Sequence, residues 1–441
     1  MANTTSIGTN AMPQGGVTAL QPVEPTAMDP AVQELVDQLT PLQERFREQS
    51  NILTKLLGSK NYDSGPGSVA EVKISSVGLA LSCTTKHILV ITLKNAGAAA
   101  EVVSVSKHFP YDLILSTIVS VNGGAAIYTA SGPLGLYAYA RRVRGLLRPT
   151  DSGPNGVGLS PSLCSVSVSG GTVTNSVASS PSFSGIDSIS IAAGATCTIT
   201  ATFVTFQPFT LSKDSMIGLL PLQNSDTYAN ISHTLSTKLV TTNADQTYSF
   251  YSAGADVTGA ITGSGSSYAQ SKYAFCTVPT DPGLYLELVG NSYQVQQQNG
   301  LIASEAGALV DLYEIPRNNF LIALHLMGRD TTTAAIPYVN WGTLVLSYNA
   351  GVITVAQQEP VITRAEQQDF YDVDLGAFPG YRIWDGMHTT NSPYQQDRMG
   401  WVNMYKAADT VLSTTLATGV AVPIQYSVLR EQLVAGAVQV V

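Results

Sequence analysis

The chain has very little charge. Of its 441 residues only 12% are Asp, Glu, Lys or Arg, about half the proportion of an ordinary soluble protein. That shortage excludes disorder driven by charge, and it also excludes a coiled coil. The formal net charge of −9 argues against a general nucleic-acid coat. Hydrophobic residues make up 44%, so a chain of this length can build a large core in two or three domains.

Cysteine is scarce and widely scattered, and no pair forms a CxxC motif. The spacing fits neither a zinc site nor a disulfide framework, so we expect buried free thiols, no metal and no cofactor. The four are Cys83, Cys164, Cys197 and Cys276.

Targeting signals are also lacking. The segment from Met1 to Gly16 has no basic region followed by an apolar one, and no run of 18 apolar residues occurs anywhere. We therefore expect synthesis in the cytoplasm without a signal peptide. The abundance of Ser, Thr, Gly, Ala and Val is nevertheless typical of an extracellular protein.

Motifs for catalysis are missing as well, and we predict that the chain is not an enzyme. There is no phosphate-binding loop, dinucleotide fingerprint, HExxH or GxSxG. His87 and His325 lie inside apolar strand-like runs and are predicted to be structural, whereas His388 follows Trp384 and Asp385 and is the most site-like histidine.

An acidic cluster offers the main alternative chemistry. A glycosidase or a calcium site could use such carboxylates, with Trp384 or Trp401 as a sugar platform, although a solvated helix end explains them more simply. The cluster consists of Asp369, Asp372 and Asp374.

Residues 1–65 are predicted to form a flexible arm followed by an amphipathic helix over about 41–57. The arm, 1–28, is polar with several prolines, and the helix is expected to end before Gly58. It could dock on its own domain, which its mixed charge favours, or it could lie against a membrane surface. The apolar candidates for that contact are Leu42, Phe46, Leu53 and Leu56.

After Gly65 the sequence is typical of β-structure. From Thr196 to Phe203 apolar residues alternate with threonines, while His87–Leu93 and Phe320–Met327 are near-continuous apolar runs. Asp187 is the single charged residue between 152 and 212, a stretch of strands and turns.

An internal repeat organises this β-material. A strand, a tight turn at Asn122 and a second strand recur around Asn349, and Pro133 and Pro360 follow at the same spacing, an offset of 227 residues. Each proline is predicted to begin a short helix, over 134–144 and 361–370. The repeat predicts two β-domains, 66–282 and 283–441.

Arginines cluster once, just after Tyr137 and Tyr139. Stacking and phosphate contacts could bind nucleic acid there, but on an acidic chain we favour contact with an acidic patch of a neighbouring subunit. These inter-subunit candidates are Arg141, Arg142, Arg144 and Arg148.

The order of these features resembles the double-jelly-roll major capsid proteins of tectivirus-like bacteriophages, which contain an internal membrane. The resemblance rests on the early helix, the two hairpin–helix repeats at Asn122 and Asn349, and a strand followed by a short helix over 192–221. It implies an all-β fold of two tandem jelly rolls with an N-terminal helix and a short helix in each barrel.

The same resemblance implies a homotrimer that forms a pseudo-hexagonal tile of an icosahedral virion shell. Its partners would be neighbouring capsomers, minor capsid or penton proteins and the viral membrane, with no direct contact to nucleic acid. The segments 152–190 and 240–271 would form outer loops. A receptor-binding spike and a carbohydrate-binding or glycosidase β-sandwich are the alternatives.

Overall fold

The computed structural model describes residues 51–435 except 63–66, 76–77, 144, 152–154, 212–216, 223–225, 237, 243–247, 255, 263–265, 276–290, 304–308, 331–337, 350, 352, 372–377, 379, 387–401, 408 and 417–422. In the described part of the chain, nearly all of the regular secondary structure is β-strand. It contains two α-helices, α1 (Gly132–Ala140) and α2 (Pro360–Tyr371), and a 3-10 turn over Tyr111–Leu113.

The strands are β1 (Asn51–Asn61), β2 (Val69–Ser75), β3 (Gly78–Asn95), β4 (Glu101–Val105), β5 (Ile114–Val121), β6 (Ala126–Ala130), β7 (Thr150–Asp151), β8 (Val157–Gly158), β9 (Cys164–Ser169), β10 (Thr172–Asn175), β11 (Ile186–Ile191), β12 (Thr196–Pro208), β13 (Leu220–Leu222), β14 (Tyr228–Leu235), β15 (Val240–Thr241), β16 (Phe250–Ser252), β17 (Val257–Ile261), β18 (Ser266–Phe275), β19 (Asn291–Ile302), β20 (Leu309–Ile315), β21 (Phe320–Asp330), β22 (Trp341–Tyr348), β23 (Ile353–Gln358), β24 (Tyr381–Asp385), β25 (Val402–Asn403), β26 (Thr410–Leu416) and β27 (Ile424–Ala435).

Two barrels share one strand order. In the first, β1-β18-β3-β12 form one sheet and β2-β14-β5-β6 form the facing one; in the second, the corresponding rows are β19-β27-β21-β24 and β20-β26-β22-β23. This repeated order is the jelly roll, in which two packed antiparallel sheets protect most of each other's edges. The predicted fold of two tandem jelly rolls is confirmed.

The barrels are joined by main-chain hydrogen bonds. Strand β6 of the first barrel pairs with β19 of the second in parallel, with Tyr128 opposite Val295 and Thr129 opposite Gln296. One sheet therefore runs from the first barrel into the second. The predicted boundary between them, near residue 282, lies outside the described residues.

The hairpin–helix repeat is confirmed in both copies. Asn122 and Asn349 adopt left-handed backbone conformations with φ of 49° and 55°, as a tight turn after the first strand of a hairpin requires. The helices begin at Gly132 and at Pro360, within two residues of the predicted positions. Of the described helices, neither is long and apolar enough to span a membrane.

The predicted helix over 41–57 is wrong from residue 51 onward, where the chain forms strand β1. This strand pairs with β18 along its length, from Asn51 opposite Phe275 to Asn61 opposite Ser266. The spacing of Leu53, Leu56 and Leu57 suits a helix locally, but pairing with a distant strand decides the structure. Leu42 and Phe46 lie outside the described residues.

The segments expected as outer loops also contribute strands. Strands β10 and β11 from 152–190 join β4, β16 and β15 in a separate five-stranded sheet. Strand β12 alternates between buried and less buried side chains, as its sequence pattern predicts. Cys83, Cys164 and Cys197 are buried free thiols, whereas Cys276 lies outside the described residues.

Candidate functional site

The most chemically organised region of the described chain is the junction between the two barrels. Helix α1 precedes the junction residues in the chain. Its start is favoured by Pro133, whose fixed backbone angle suits the first helical turn, and nearly every side chain of α1 is buried. Arg141 follows the last residue of α1, and its amide donates to the carbonyl of Tyr137. The guanidinium of Arg141 therefore extends from the end of the helix to the second barrel.

Arg141 forms a two-pronged ion pair with Glu431 of β27. The Nε–Oε1 distance is 2.9 Å and the Nη2–Oε2 distance is 2.6 Å, and the two side chains are 3% and 0% exposed. A second carboxylate, that of Asp385 in β24, lies 3.6 Å from Nη1. Tyr371 at the end of α2 donates to Asp385 at 2.6 Å.

Three further side chains complete the surroundings of Glu431. Its Oε1 lies 2.6 Å from Nε2 of His325, which must carry the proton because a carboxylate only accepts, and Tyr293 donates to Oε2. The other nitrogen of His325, Nδ1, lies 2.8 Å from the hydroxyl of Tyr381. His325 is therefore a hydrogen-bonded structural histidine, as is His87, which bonds to Tyr62 and Thr205.

The charge state of Glu431 follows from these contacts. Burial by itself would raise the pKa of this carboxyl group, but the Arg141 guanidinium and the hydrogen bond from His325 outweigh it and hold the pKa well below its usual value. In the same way Glu431 and Asp385 overcome the effect of burial and raise the pKa of Arg141. Both partners are charged, so the pair joins the barrels electrostatically.

A second arginine makes the opposite connection. Arg329 of β21, in the second barrel, places its guanidinium 3.6 Å from Asp112 of the first barrel and donates to the carbonyl of Tyr248 at 3.1 Å. The hydroxyl of Tyr338 lies 2.8 Å from Oγ of Ser106. Each barrel thus inserts a buried arginine into the other.

Aromatic rings fill the space between the two arginines. Tyr137 stacks on Tyr381 with 3.7 Å between ring centroids and 7° between planes, and Phe183 meets Phe378 edge to face at 5.0 Å. Tyrosine and phenylalanine rings provide large contact areas with defined geometry. The junction is built for rigid attachment, because its charged groups are buried and the central pair, Arg141 and Glu431, is held by two hydrogen bonds.

The arginines of the predicted cluster lie in different environments. Arg141 has its carboxylate partner inside its own chain, instead of on a neighbouring subunit. Arg142 is also turned inward, where it donates to Thr210 at 3.1 Å and lies over the ring of Tyr293. Arg148 is exposed, and Arg144 lies outside the described residues, so their role between subunits stays a prediction.

The other predicted residues do not converge on a site. Asp369 is exposed on α2, while Asp372, Asp374 and His388 lie outside the described residues. Leu53 and Leu56 are exposed on β1.

Sequence reasoning missed Glu431, Asp385, Arg329 and Asp112. One signal was available: on a chain so poor in charge, Arg329 and Glu431 follow or interrupt apolar strand segments.

The sequence matches no protein-family model and no curated protein. Solved structures do match. The crystal structure of the major capsid protein of Sulfolobus turreted icosahedral virus superposes with a TM-score of 0.56 at 15% identity, covering 87% of this chain and 97% of that one. The same virus's atomic structure contains a chain that matches with a TM-score of 0.54 at 15% identity, covering 87% of this chain and 91% of that one. The fold of this chain is therefore the double jelly roll of viral major capsid proteins.

Proposed function

We propose that the chain is the major capsid protein of an icosahedral virus and that it assembles as a homotrimeric, pseudo-hexagonal capsomer. The observation that carries the proposal is the double jelly roll itself, aligned with a viral major capsid protein over 87% of this chain and 97% of the other.

The rigidity of the junction supports a structural role. Two buried arginines, a continuous sheet and stacked tyrosines fix one barrel against the other. A shell tile needs such rigidity because errors in the angle between barrels accumulate across a closed lattice.

The deciding experiment is the mass of the purified protein in solution by light scattering, with negative-stain imaging of the same peak. Compact particles of three times the chain mass support the capsomer. A monomer at every concentration contradicts it, and an elongated trimer would indicate a spike.

The proposed partners are neighbouring capsomers, minor capsid or penton proteins and an internal viral membrane. For the membrane, the capsomer should float with anionic phospholipid vesicles in a density gradient. Leu42→Asp combined with Phe46→Asp should abolish flotation, whereas the matched change Val102→Asp should not. Flotation unchanged in the double variant would exclude these two side chains as the lipid contact.

A further inference from the structure

The shared strand order of the barrels identifies two sheet edges that correspond to the internal junction. Inside the chain, β6, the last strand of one first-barrel sheet, pairs with β19, the first strand of a second-barrel sheet. The equivalent of β6 in the second barrel is β23, and the equivalent of β19 in the first barrel is β1. Both β23 and β1 stand at the end of their sheets with a strand on one side only, among the described residues.

The two copies of the hairpin–helix unit differ in how much of their surface is exposed to solvent. In the first barrel, β6 pairs with β19 of the second barrel, and nearly all of α1 is buried, with Tyr137 stacked on Tyr381 of the second barrel. In the second barrel, the same unit is open: Val361 and Ile362 at the start of α2 are 74% and 62% exposed, and Ile353 of β23 is exposed too. The described residues form two barrels, and these side chains lie uncovered on the outside of the second one.

The matching edge shows the same contrast. Tyr293 and Val295 of β19 are buried, whereas β1 is exposed over almost all of its described side chains, with Leu56 68% exposed. Exposed large apolar side chains at a strand edge are typical of a site that another chain covers.

Charge distinguishes the two open edges. Strand β1 contains Lys55 and Lys60 and no acidic residue. The unit from β23 to the end of α2 contains Glu359, Glu366 and Asp369 against Arg364, and Arg382 of β24, bonded to the carbonyl of Pro360, adds a second positive charge, so the edge keeps a net negative charge. Opposite charges on the two edges favour their pairing with each other over pairing of either edge with itself.

The geometry points to a second copy of this chain as the partner: the β23–α2 edge of one subunit covers the β1 edge of the next, in a parallel strand pairing that repeats the β6–β19 junction. The inference rests on the proposed homotrimer and assigns its contact surfaces. Such a contact joins two different patches, and a contact of this kind closes into a ring when its rotation permits. The exposed leucines of β1 thereby gain a role between subunits.

Two single substitutions test the assignment in the full chain. Leu56→Asp on β1 and Ile362→Asp on α2 each place a carboxylate in the proposed contact, and both positions are exposed in the single chain, so folding should persist. We expect a threefold fall in mass by light scattering for each variant. Val102→Asp, at a position 58% exposed on β4, is the matched control and should stay trimeric.

Mixing the two variants tests which surfaces meet. Each variant retains one intact edge, so the mixture should form dimers of twice the chain mass, while each variant alone is monomeric. Dimers of either variant alone would show that an edge pairs with itself and would overturn the inference. Trimers that survive both substitutions would overturn it while leaving the capsomer proposal intact, whereas a monomeric wild-type protein would overturn the capsomer proposal first.

Discussion

Replacing Glu431 by glutamine removes the central charge of the junction and keeps the side chain's size. Arg141 would lose its two-pronged partner, while the carboxylate of Asp385 would remain 3.6 Å away. Breaking a buried pair by removing one partner typically costs about 3–5 kcal/mol, because the remaining charge stays buried without compensation. Glutamine also brings an amide donor to a place where Arg141, His325 and Tyr293 all donate.

The expected loss in free energy of unfolding is therefore about 3–5 kcal/mol. The urea dependence should be about 3 kcal/mol per molar or larger, because it grows with the surface exposed on unfolding, so the unfolding midpoint should fall by about 1 M. Fluorescence and circular dichroism should be followed at one fixed protein concentration, since association stabilises the folded state.

The matched control is Asp409→Asn, the same acid-to-amide change in an exposed pair. Asp409 lies 2.9 Å from Arg317 with both side chains more than half exposed, and its left-handed backbone suits asparagine. Exposed pairs contribute about 0–1 kcal/mol, so this variant should unfold close to the wild type. Equal midpoints for Glu431→Gln and Asp409→Asn would refute the account of the junction given above.

A companion variant separates the charge from the shape. Adding Arg141→Met to Glu431→Gln removes the guanidinium that has lost its main partner, so the double variant should lose less stability than the sum of the two single losses. Additive losses would mean that the two side chains act independently, against the bonded geometry.

Three other outcomes are expected. Burial lowers the pKa of His233 to about 3, from 6.5. The unfolded chain therefore binds this proton first as the pH falls. The contribution of His233 to the free energy of unfolding is complete above about pH 6.5 and declines toward pH 3. Between pH 7.5 and pH 5, His233→Gln should remove about 2 kcal/mol of the loss in stability measured by urea titration. Gly132→Ala would place its Cβ 2.0 Å from the carbonyl oxygen of Tyr111, so its urea midpoint should correspond to a loss of about 3 kcal/mol or more. Burial raises the pKa of the Cys164 thiol, so a Cys276→Ser variant should show no thiol reactive to a disulfide reagent until it is unfolded, and an immediately reactive thiol would contradict the buried positions.

Local rules were sufficient for much of the fold. Asn122 and Asn349 each mark a tight turn because asparagine tolerates the left-handed backbone, and Pro133 and Pro360 each mark a helix start because proline fits the first turn. The alternation in β12 likewise follows from one face being buried. These signals depend on neighbours in sequence, so a single chain displays them.

Long-range pairing could not be predicted in the same way. Strand β1 contains leucines at helical spacing, but its conformation depends on β18, more than 200 residues later. Arg141 is separated from Glu431 by 290 positions, so the sequence showed an arginine cluster without its carboxylate. An acidic partner of the predicted kind exists for Arg141, but it lies on the second barrel of the same chain.

The distribution of charge suggests why so few charged residues serve this fold. In a chain with 12% charged residues, Arg141, Glu431, Asp385, Arg329 and Asp112 are all buried or nearly buried between the barrels. Apolar faces would hold two barrels together at several angles with similar energy, whereas bonded charges allow one, because a misplaced buried charge is costly. If the next subunit repeats the β6–β19 contact, the angle set inside one chain is the angle repeated around the ring. The buried charges would then determine whether that ring closes, although they pair with one another inside a single chain.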